Sequence, residues 1–326
     1  MGWRMGAGIP VNFRVPAMPP ANSAIYCILN GAAGTSAAKA SRHVVADMFA
    51  AQGTPAIVEL VRNGGEIAAL VHRAVATGCT TIVAGGGDGT VSCVAGIVAR
   101  SSACLGILPM GTLNHFARDL KIPLPLAEAV HVVVHGEERR VDAGEVNGHL
   151  FVNNSSLGLY PRLVREREAL QLQGNGKWLA FARALGPVLR GYSQLQVEVR
   201  GDAQGPARHT TPFVFIGNNR YRLNGWRIGS RDALDAGRLW ICTAPGKGPI
   251  GLVALALAAL AGRVEQGGGN AFETGECWIK SRKRYLHVAT DGEVRRLATP
   301  LHYRSLPGAL RVIAPPQAAL ATGGKP

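Results

Sequence analysis

Apolar positions in the first part of the chain fall into short β-branched runs, each followed by a turn of small residues and a stretch with helical apolar spacing. The runs are Ala24–Asn30, Ala56–Val61, Cys104–Leu108 and one that begins at Thr81. Such runs predict buried strands, and their alternation with helices predicts a parallel sheet covered on both faces. Because the small-residue turns all follow strands, we expect them to share the sheet edge at which such folds bind ligands.

Around residue 139 the apolar pattern changes to a period of two residues. The pair Asn147-Gly148 separates Arg139–Val146 from Leu150–Ser155, which predicts a β-hairpin. Further segments alternate like antiparallel strands: Leu195–Arg200, Thr211–Ile216, Arg238–Ala244, Glu276–Lys280 and Leu286–Thr290. Between them, Pro161–Arg190 has a helical and basic pattern. The pattern predicts a second, β-rich domain.

The run that begins at Thr81 leads through three glycines to Asp88, Gly89 and Thr90, where a helical pattern starts. Glycines free the backbone to bend tightly, so that the N–H groups of a helix N-terminus can face a phosphate. An acid at Asp88 would repel a phosphate unless a cation lies between them, which favours a Mg²⁺–nucleotide. The spacing matches neither the dinucleotide pattern nor the P-loop, and a tight connection without a ligand is the alternative.

Composition fits a globular enzyme: of 326 residues, 47% are hydrophobic and 17% are charged, and the length allows two domains. The net charge is +14 and the pI is about 10.1, which favours an anionic partner. No nucleic-acid motif is present, and aromatic residues are only 6%, too few for a base-stacking surface. An anionic membrane surface is therefore the expected partner, and a basic surface without a dedicated partner is the alternative.

Six cysteines are scattered without a C-x-x-C pair, which indicates a reducing compartment. The N-terminal segment is broken by prolines and has no long apolar run, so we expect no cleaved signal. The longest helical apolar stretch, Ile250–Ala261, has about 12 residues, fewer than the roughly 20 that span a bilayer. We expect a cytoplasmic protein, peripheral at the inner face of the membrane.

Three turns and two further segments resemble the diacylglycerol kinase catalytic family, which includes bacterial lipid kinases and the sphingosine and ceramide kinases. The turns are Gly86–Thr90, Pro109–Asn114 and Asp291–Glu293, and the segments are Val141–Gly144 and Leu306–Val312. The similarity extends over roughly residues 24 to 315. NAD kinases share the first turn, but their later motifs differ from the Gly-Thr-Leu-Asn-His-Phe-Ala-Arg sequence of this chain.

The resemblance implies a three-layer α/β domain that holds ATP and a C-terminal β-sandwich domain. It also implies that a lipid enters between the two domains and that the last segment returns to the first. The division expected from this likeness has five parts: a loose leader 1–22, a nucleotide-binding domain 23–138, a lipid-binding domain 139–299, a closing segment 300–315 and a tail 316–326.

The same resemblance implies the residues of the site. Those that would bind the nucleotide lie in the small-residue turns: Asn30, Gly34, Gly86, Gly87, Asp88, Gly89, Thr90, Gly111, Thr112 and Asn114. Glu293 would accept the proton of a lipid hydroxyl, which is a poor nucleophile until that proton is removed. Asp88 and Asp291 would join it in catalysis and, with Asp142, organise Mg²⁺. Taken alone, Asp291–Glu293 would be a surface turn.

Basic side chains and departures from the family pattern leave further alternatives. Lys39 or Arg42 would neutralise phosphate charge, or they lie on a solvated helix face. His115 replaces an acid that the family often carries, and we expect an ordinary loop residue there. Ala236 replaces a carboxylate of the family's structural metal loop, so we expect that metal to be absent unless Asp235 substitutes.

The sequence therefore predicts an ATP- and Mg²⁺-dependent lipid kinase, with diacylglycerol as the favoured substrate. Lys177–Arg190 and Ile250–Arg263 are candidate membrane-contacting segments, although both also fit ordinary amphipathic or buried helices. A kinase of a soluble substrate such as NAD and a non-catalytic nucleotide- and lipid-binding protein are the alternatives. The oligomeric state is left open.

Overall fold

The computed structural model describes residues 25–31, 36–61, 64–158, 194–202, 205–222, 230–243, 248 and 270–316, with side chains from residue 41 onward in the first helix. The helices in these ranges are α1 (Ser36–Ala51), α2 (Gly64–Ala76), α3 (Asp88–Val98), α4 (His115–Asp119) and α5 (Leu126–His135). The strands of the first half are β1 (Ile25–Asn30), β2 (Ala56–Val61), β3 (Thr81–Gly86), β4 (Cys104–Pro109), β5 (Glu137–Val146), β6 (His149–Phe151) and β7 (Asn154–Gly158). Those of the second half are β8 (Leu195–Gly201), β9 (Ala207–Thr211), β10 (Phe213–Asn218), β11 (Leu239–Thr243), β12 (Asn270–Thr274), β13 (Glu276–Ser281), β14 (Tyr285–Thr290), β15 (Glu293–Ala298) and β16 (Leu301–Ala314).

Strands β1 to β4 form a parallel sheet in the order β2-β1-β3-β4. Every residue of β4 is buried, as expected for a strand covered on both faces. Helix α2 buries Ile67, Val71 and Ala74, whose spacing places them on one face of a helix. The predicted α/β fold of the N-terminal domain is confirmed.

Strand β16, with 14 residues, joins the two parts of the molecule. Val312 near its end pairs in parallel with Leu105 of β4, while other residues pair antiparallel with β5 and β13. The register shifts between Leu306 and Leu310, where Gly308 has a φ of 58°. One ten-stranded sheet therefore runs from β2 in the α/β part to β9 in the β-rich part.

A second sheet of six strands, in the order β12-β11-β10-β7-β14-β15, packs on the antiparallel part of the first. Apolar side chains of both sheets form their common core, among them Leu157, Val214 and Val288 from one and Val197, Ile279 and Tyr303 from the other. Two hydroxyls within this core, those of Ser155 and Tyr303, hydrogen-bond at 3.0 Å, which satisfies both buried groups. The predicted C-terminal β-sandwich is confirmed.

The predicted hairpin at Asn147-Gly148 joins β5 and β6, and both turn residues have positive φ. The single strand predicted after it, Leu150–Ser155, is wrong: β6 and β7 are separated by Val152 and Asn153. These two residues leave the ladder because their N–H groups bind the carboxylate of Asp291. The sequence also did not predict β9, β12, β15, α4 or α5.

No helix in the described ranges is long and apolar enough to cross a bilayer. Both candidate membrane-contacting segments, residues 177–190 and 250–263, lie outside the described residues. The same holds for the predicted leader, the tail from residue 317 onward and the helical pattern over residues 161–190.

Packing against Gly144 gives a first prediction. Gly144 pairs with Phe151, and an added methyl group would lie 2.2 Å from the Phe151 ring. We expect Gly144→Ala to lower the free energy of unfolding by about 1–3 kcal/mol, as overpacked cores do. The control is Gly96→Ala in α3, where the nearest atom to the new methyl is 4.0 Å away. It should be neutral or stabilise by up to about 1 kcal/mol. Equal urea midpoints for the two variants would contradict this packing.

Candidate active site

The first predicted turn lies where β3 ends and α3 begins, with Gly87 between them. The side chain of Thr90 folds back over Gly86, so a Cβ on Gly86 would lie 2.5 Å from Thr90 Oγ1. Asn30, the last residue of β1, donates from Nδ2 to the same oxygen at 3.0 Å. These contacts require glycine at position 86 and hold the start of α3 against the ends of two neighbouring strands.

The second predicted turn packs directly on the first. Met110 N donates to Gly86 O at 3.0 Å, and a Cβ on Gly111 would lie 2.4 Å from the Cα of Gly87. Asn114, with a φ of 50°, accepts from Gly111 N at 2.9 Å and donates to Gly111 O at 2.8 Å. Because both ends of its amide serve the turn itself, contact of Asn114 with a nucleotide stays a prediction.

The third predicted turn joins β14 and β15 as a two-residue hairpin. Asp291 and Gly292 have φ values of 48° and 91°, as in the type I′ turns that Asp-Gly pairs favour. The Asp291 carboxylate accepts hydrogen bonds from three consecutive backbone N–H groups, at 2.8 Å from Val152, 2.9 Å from Asn153 and 3.0 Å from Asn154. This end of the hairpin is therefore fixed to the connection between β6 and β7.

The same hairpin end meets helix α3. Burial raises the pKa of Asp291, while the backbone donors and the Ser92 hydroxyl lower it. That hydroxyl faces the carboxyl group without reaching full hydrogen-bond geometry. Burial also raises the pKa of Cys93, and the charge of Glu293 raises it further. Ser92 and Cys93 belong to the helix that Asp88 begins, so the first and third turns share α3.

Glu293, the predicted proton acceptor, is exposed at the start of β15. Arg295 donates from Nη2 to Glu293 Oε2 at 2.5 Å, and its Nη1 lies 3.2 Å from His149 Nδ1. Burial lowers the pKa of His149, and the positive charges of Arg295 and Arg100 lower it further. Positive charge near Glu293 and His149 favours an approaching phosphate.

The two other predicted acids differ in how far their oxygens are occupied. Asp142, 1% exposed, accepts from Gly237 N at 2.6 Å and from Gly308 N at 2.9 Å. The carboxylate of Asp88 forms no hydrogen bond or ion pair with any other described residue. The Mg²⁺ network stays a prediction, and of these two acids Asp88 is the one whose oxygens have no partner among the described residues.

Several other residues that the sequence singled out are exposed: Arg42, Gly89, Thr112, His115 and Asp235. Gly34 and the side chain of Lys39 lie outside the described part of the chain. Within that part, no three His, Cys, Asp or Glu side chains converge as a metal site would require. The expected loss of the structural metal at Ala236 stays a prediction.

A buried ion pair that the sequence did not predict holds the connection between β6 and β7, to which the third turn is bound. Arg231, whose side chain is fully enclosed, donates from Nε to Asp119 Oδ2 at 2.8 Å. Its Nη1 donates to Val152 O at 2.6 Å and its Nη2 to Asn153 Oδ1 at 3.0 Å. Val152 and Asn153 are two of the residues whose N–H groups bind Asp291. The cation and the carboxylate therefore hold the same short connection.

Aromatic rings enclose this ion pair. The Arg231 guanidinium lies 5.4 Å from the ring centroid of Tyr221 and 5.8 Å from that of Phe116. Burial raises the pKa of Tyr221 to about 12, against the opposing effects of Arg231 and of a hydrogen bond with Asn154. Asp119 and Arg231 are 112 positions apart, and no local pattern marks either one.

Comparison with known proteins identifies relatives of this chain. Residues 24–146 match the diacylglycerol kinase catalytic domain. A "probable lipid kinase YegS-like" protein of Pseudomonas fluorescens is 32% identical over 82% of this chain and 88% of its own length. A protein of the same name from Pseudomonas aeruginosa is 33% identical over 81% of this chain and 86% of its own length. The crystal structure of a diacylglycerol kinase from Bacillus anthracis str. Sterne matches with a TM-score of 0.66 at 19% identity, covering 90% of this chain and 97% of that one.

Fold and site together define an α/β domain with bare glycine turns, joined to a β-sandwich that contributes a carboxylate-bearing hairpin. The likeness to the Bacillus anthracis structure, at 19% identity, shows this fold. The sequence matches show more. The chain belongs to the diacylglycerol kinase catalytic family and is a kinase.

The buried ion pair gives a second prediction. Arg231→Met leaves Asp119 enclosed without its cation, and we expect a loss of about 3–5 kcal/mol in the free energy of unfolding. The matched control is Arg222→Met, because Arg222 pairs with Asp232 at 2.5 Å but both side chains are more than half exposed, at 53% and 61%. That variant should lose less than about 1 kcal/mol. Similar losses in chemical denaturation would contradict the supporting role of Arg231.

Proposed function

We propose that the protein is an ATP- and Mg²⁺-dependent lipid kinase that transfers the γ-phosphate of ATP to the hydroxyl of diacylglycerol. Helix α3 carries this proposal, because its first turns face both Asp291 and Glu293 and its first residue is Asp88. A nucleotide at the start of α3 and a proton acceptor in β15 would then lie on neighbouring parts of one helix. The relatives named as lipid kinases support the choice of a lipid acceptor.

The bare turns fit a polyphosphate. Gly86 and Gly111 leave no room for a side chain, so the two turns pack closely on each other and on the start of α3. The first N–H groups of α3 have no acceptor within the helix, and a helix N-terminus favours an anion. We propose that the phosphates of ATP bind to the N–H groups of Gly89 and Thr90, with Gly87 and Gly111 allowing their close approach.

Mg²⁺ would be held by Asp88 together with the phosphates. Carboxylate, phosphate and water oxygens are the ligands that Mg²⁺ takes in such sites, and those of Asp88 have no partner among the described residues. Bound Mg²⁺ supplies charge neutralisation of the transferring phosphoryl group. Asp142 and Asp291 remain in the proposed network, and their hydrogen bonds to backbone N–H groups fit a role in positioning.

Glu293 is the proposed general base. Its exposure lets an incoming hydroxyl reach the carboxylate, and Arg295 at 2.5 Å limits the orientations that the carboxylate can take. As the lipid oxygen attacks the γ-phosphorus, the bond from that phosphorus to the β,γ-bridging oxygen breaks and ADP leaves, while the hydroxyl proton passes to Glu293. Asp291 fixes the turn two positions earlier, so the base is held at a set place relative to α3.

Apolar side chains beside the second turn support an apolar substrate. Met110 and Leu113, on either side of Gly111 and Thr112, are 42% and 43% exposed. We propose that they contact the lipid as it approaches the nucleotide. The net charge of +14 suits an anionic membrane surface, at which the protein would act as a peripheral protein on the inner face of the membrane.

Removal of the general base gives a third prediction. Glu293→Gln keeps the size of the side chain and cannot accept the proton, so we expect kcat for diacylglycerol to fall by about 10²–10⁴-fold. Thermal unfolding should be unchanged because Glu293 is exposed. The control Glu276→Gln removes another exposed carboxylate, one paired with His302, and should keep full activity. A fully active Glu293→Gln protein would refute the assignment of the base.

A labelling experiment tests the substrate. The purified protein is incubated with labelled ATP, Mg²⁺ and a mixed bacterial lipid extract, and NAD replaces the lipid in a parallel reaction. We expect label in phosphatidic acid, and no label when EDTA removes Mg²⁺. Label in another phospholipid would keep the lipid kinase and change its substrate. Label in NADP alone would identify a soluble-substrate kinase, and ATP binding without any transfer would identify a non-catalytic protein.

A further inference from the structure

The turn between β13 and β14, with the neighbouring part of β15, forms a cationic surface that we call the basic hairpin end. Its exposed members are Lys280, Arg282, Lys283, Arg284 and Arg296. The hydroxyl of Thr299 donates to Lys283 O at 2.7 Å, and β15 pairs with β14 along its whole length. The turn is therefore held beside the strand that carries Arg296, and Lys280 lies in β13, the strand that leads into the turn.

These five cations have no carboxylate partner among the described residues. Glu198 is the cross-strand neighbour of Lys280, but it pairs with Arg208 at 3.6 Å. By contrast, the exposed Arg304 of β16 binds Glu145 at 2.5 Å. Cations that are close together and lack internal counter-ions repel one another. An anionic surface outside the chain would relieve that repulsion.

Tyr285 lies at the centre of the basic hairpin end and is 38% exposed. The guanidinium of Arg296 is 4.4 Å from its ring centroid and that of Arg284 is 5.5 Å from it. A tyrosine ring with a wet hydroxyl is suited to the headgroup level of a membrane. Two guanidinium groups already lie over this ring, which argues against base stacking and hence against a nucleic acid as the partner.

We infer that the basic hairpin end docks the kinase on an anionic phospholipid bilayer. For its choice of partner, the inference rests on the proposed lipid-kinase function. Glu293 lies at the opposite end of the β14–β15 hairpin. Each of these strands has six residues, so the two ends are about 20 Å apart at the rise of a β-strand. Docking would therefore set the distance between the proposed base and the bilayer that supplies the substrate. This surface is distinct from the membrane segments expected from the sequence, residues 177–190 and 250–263.

Vesicle binding without ATP tests the inference. Vesicles of equal parts phosphatidylglycerol and phosphatidylcholine are sedimented with the wild-type protein and with the triple variant Arg282→Gln/Lys283→Gln/Arg284→Gln. We expect the triple variant to bind about a hundredfold more weakly, from a roughly fivefold loss for each cation near an anionic surface. The control triple variant, Lys121→Gln/Arg140→Gln/Arg220→Gln, removes as much charge from exposed positions elsewhere and should bind within a few-fold of wild type.

The outcomes separate docking from catalysis. Support requires selective loss in the first triple variant, unchanged thermal unfolding, and unchanged turnover of short-chain diacylglycerol dispersed in detergent. Equal binding by both triple variants, or equal binding of wild type to vesicles of phosphatidylcholine alone, would overturn the inference. So would selective loss of binding to double-stranded DNA with vesicle binding intact. Anionic vesicle binding that is lost only in the first triple variant, in a protein that phosphorylates no lipid, would keep the docking surface and reject the proposed function.

Discussion

An enclosed carboxyl group at the meeting point of three elements sets the geometry of the site. Asp291 is costly to bury unless donors surround it, and three consecutive amides from residues 152–154 supply them. A strand paired continuously with its neighbours has no such amides to spare. The break between β6 and β7 is therefore a consequence of the turn that it binds. The hydrogen bonds that interrupt the ladder are the same ones that locate Glu293 beside α3.

Arg231 binds the same connection between β6 and β7 that Asp291 binds. Val152 gives its N–H to Asp291 and its carbonyl to Arg231, so the backbone between them is held by an anion at one end and a cation at the other. In a dry interior each of these bonds strengthens its neighbours. The Nε of the same cation donates to Asp119 of α4, the helix directly after the second turn. The ion pair of Asp119 and Arg231 thus connects the second turn to the third, and backbone contacts connect the first turn to the second.

The turns and the parallel strands were predictable from the sequence, because in both the residue type determines the local geometry. Glycines at 86 and 111 indicate close backbone approach, and Asp-Gly at 291–292 indicates a tight turn, because each property belongs to the residue itself. The parallel strands followed from continuous apolar runs for the same reason. The pair of Asp119 and Arg231 was not predictable, because a contact across 112 positions depends on the folded arrangement. The break between β6 and β7 was not predictable either, because the carboxylate that causes it is more than 130 positions away in the sequence.

The proposed division of tasks, with Asp291 as anchor and Glu293 as general base, fits the surroundings of the two residues. A base that exchanges a proton with a substrate and with water must stay accessible, and enclosure of Glu293 would prevent that. A base on a mobile loop would be accessible and poorly placed. The hairpin resolves this conflict because its anchor lies in the turn and its base lies at the first position of the next strand. Burial of Asp291 fixes the backbone, and exposure of Glu293 leaves the carboxylate free to react.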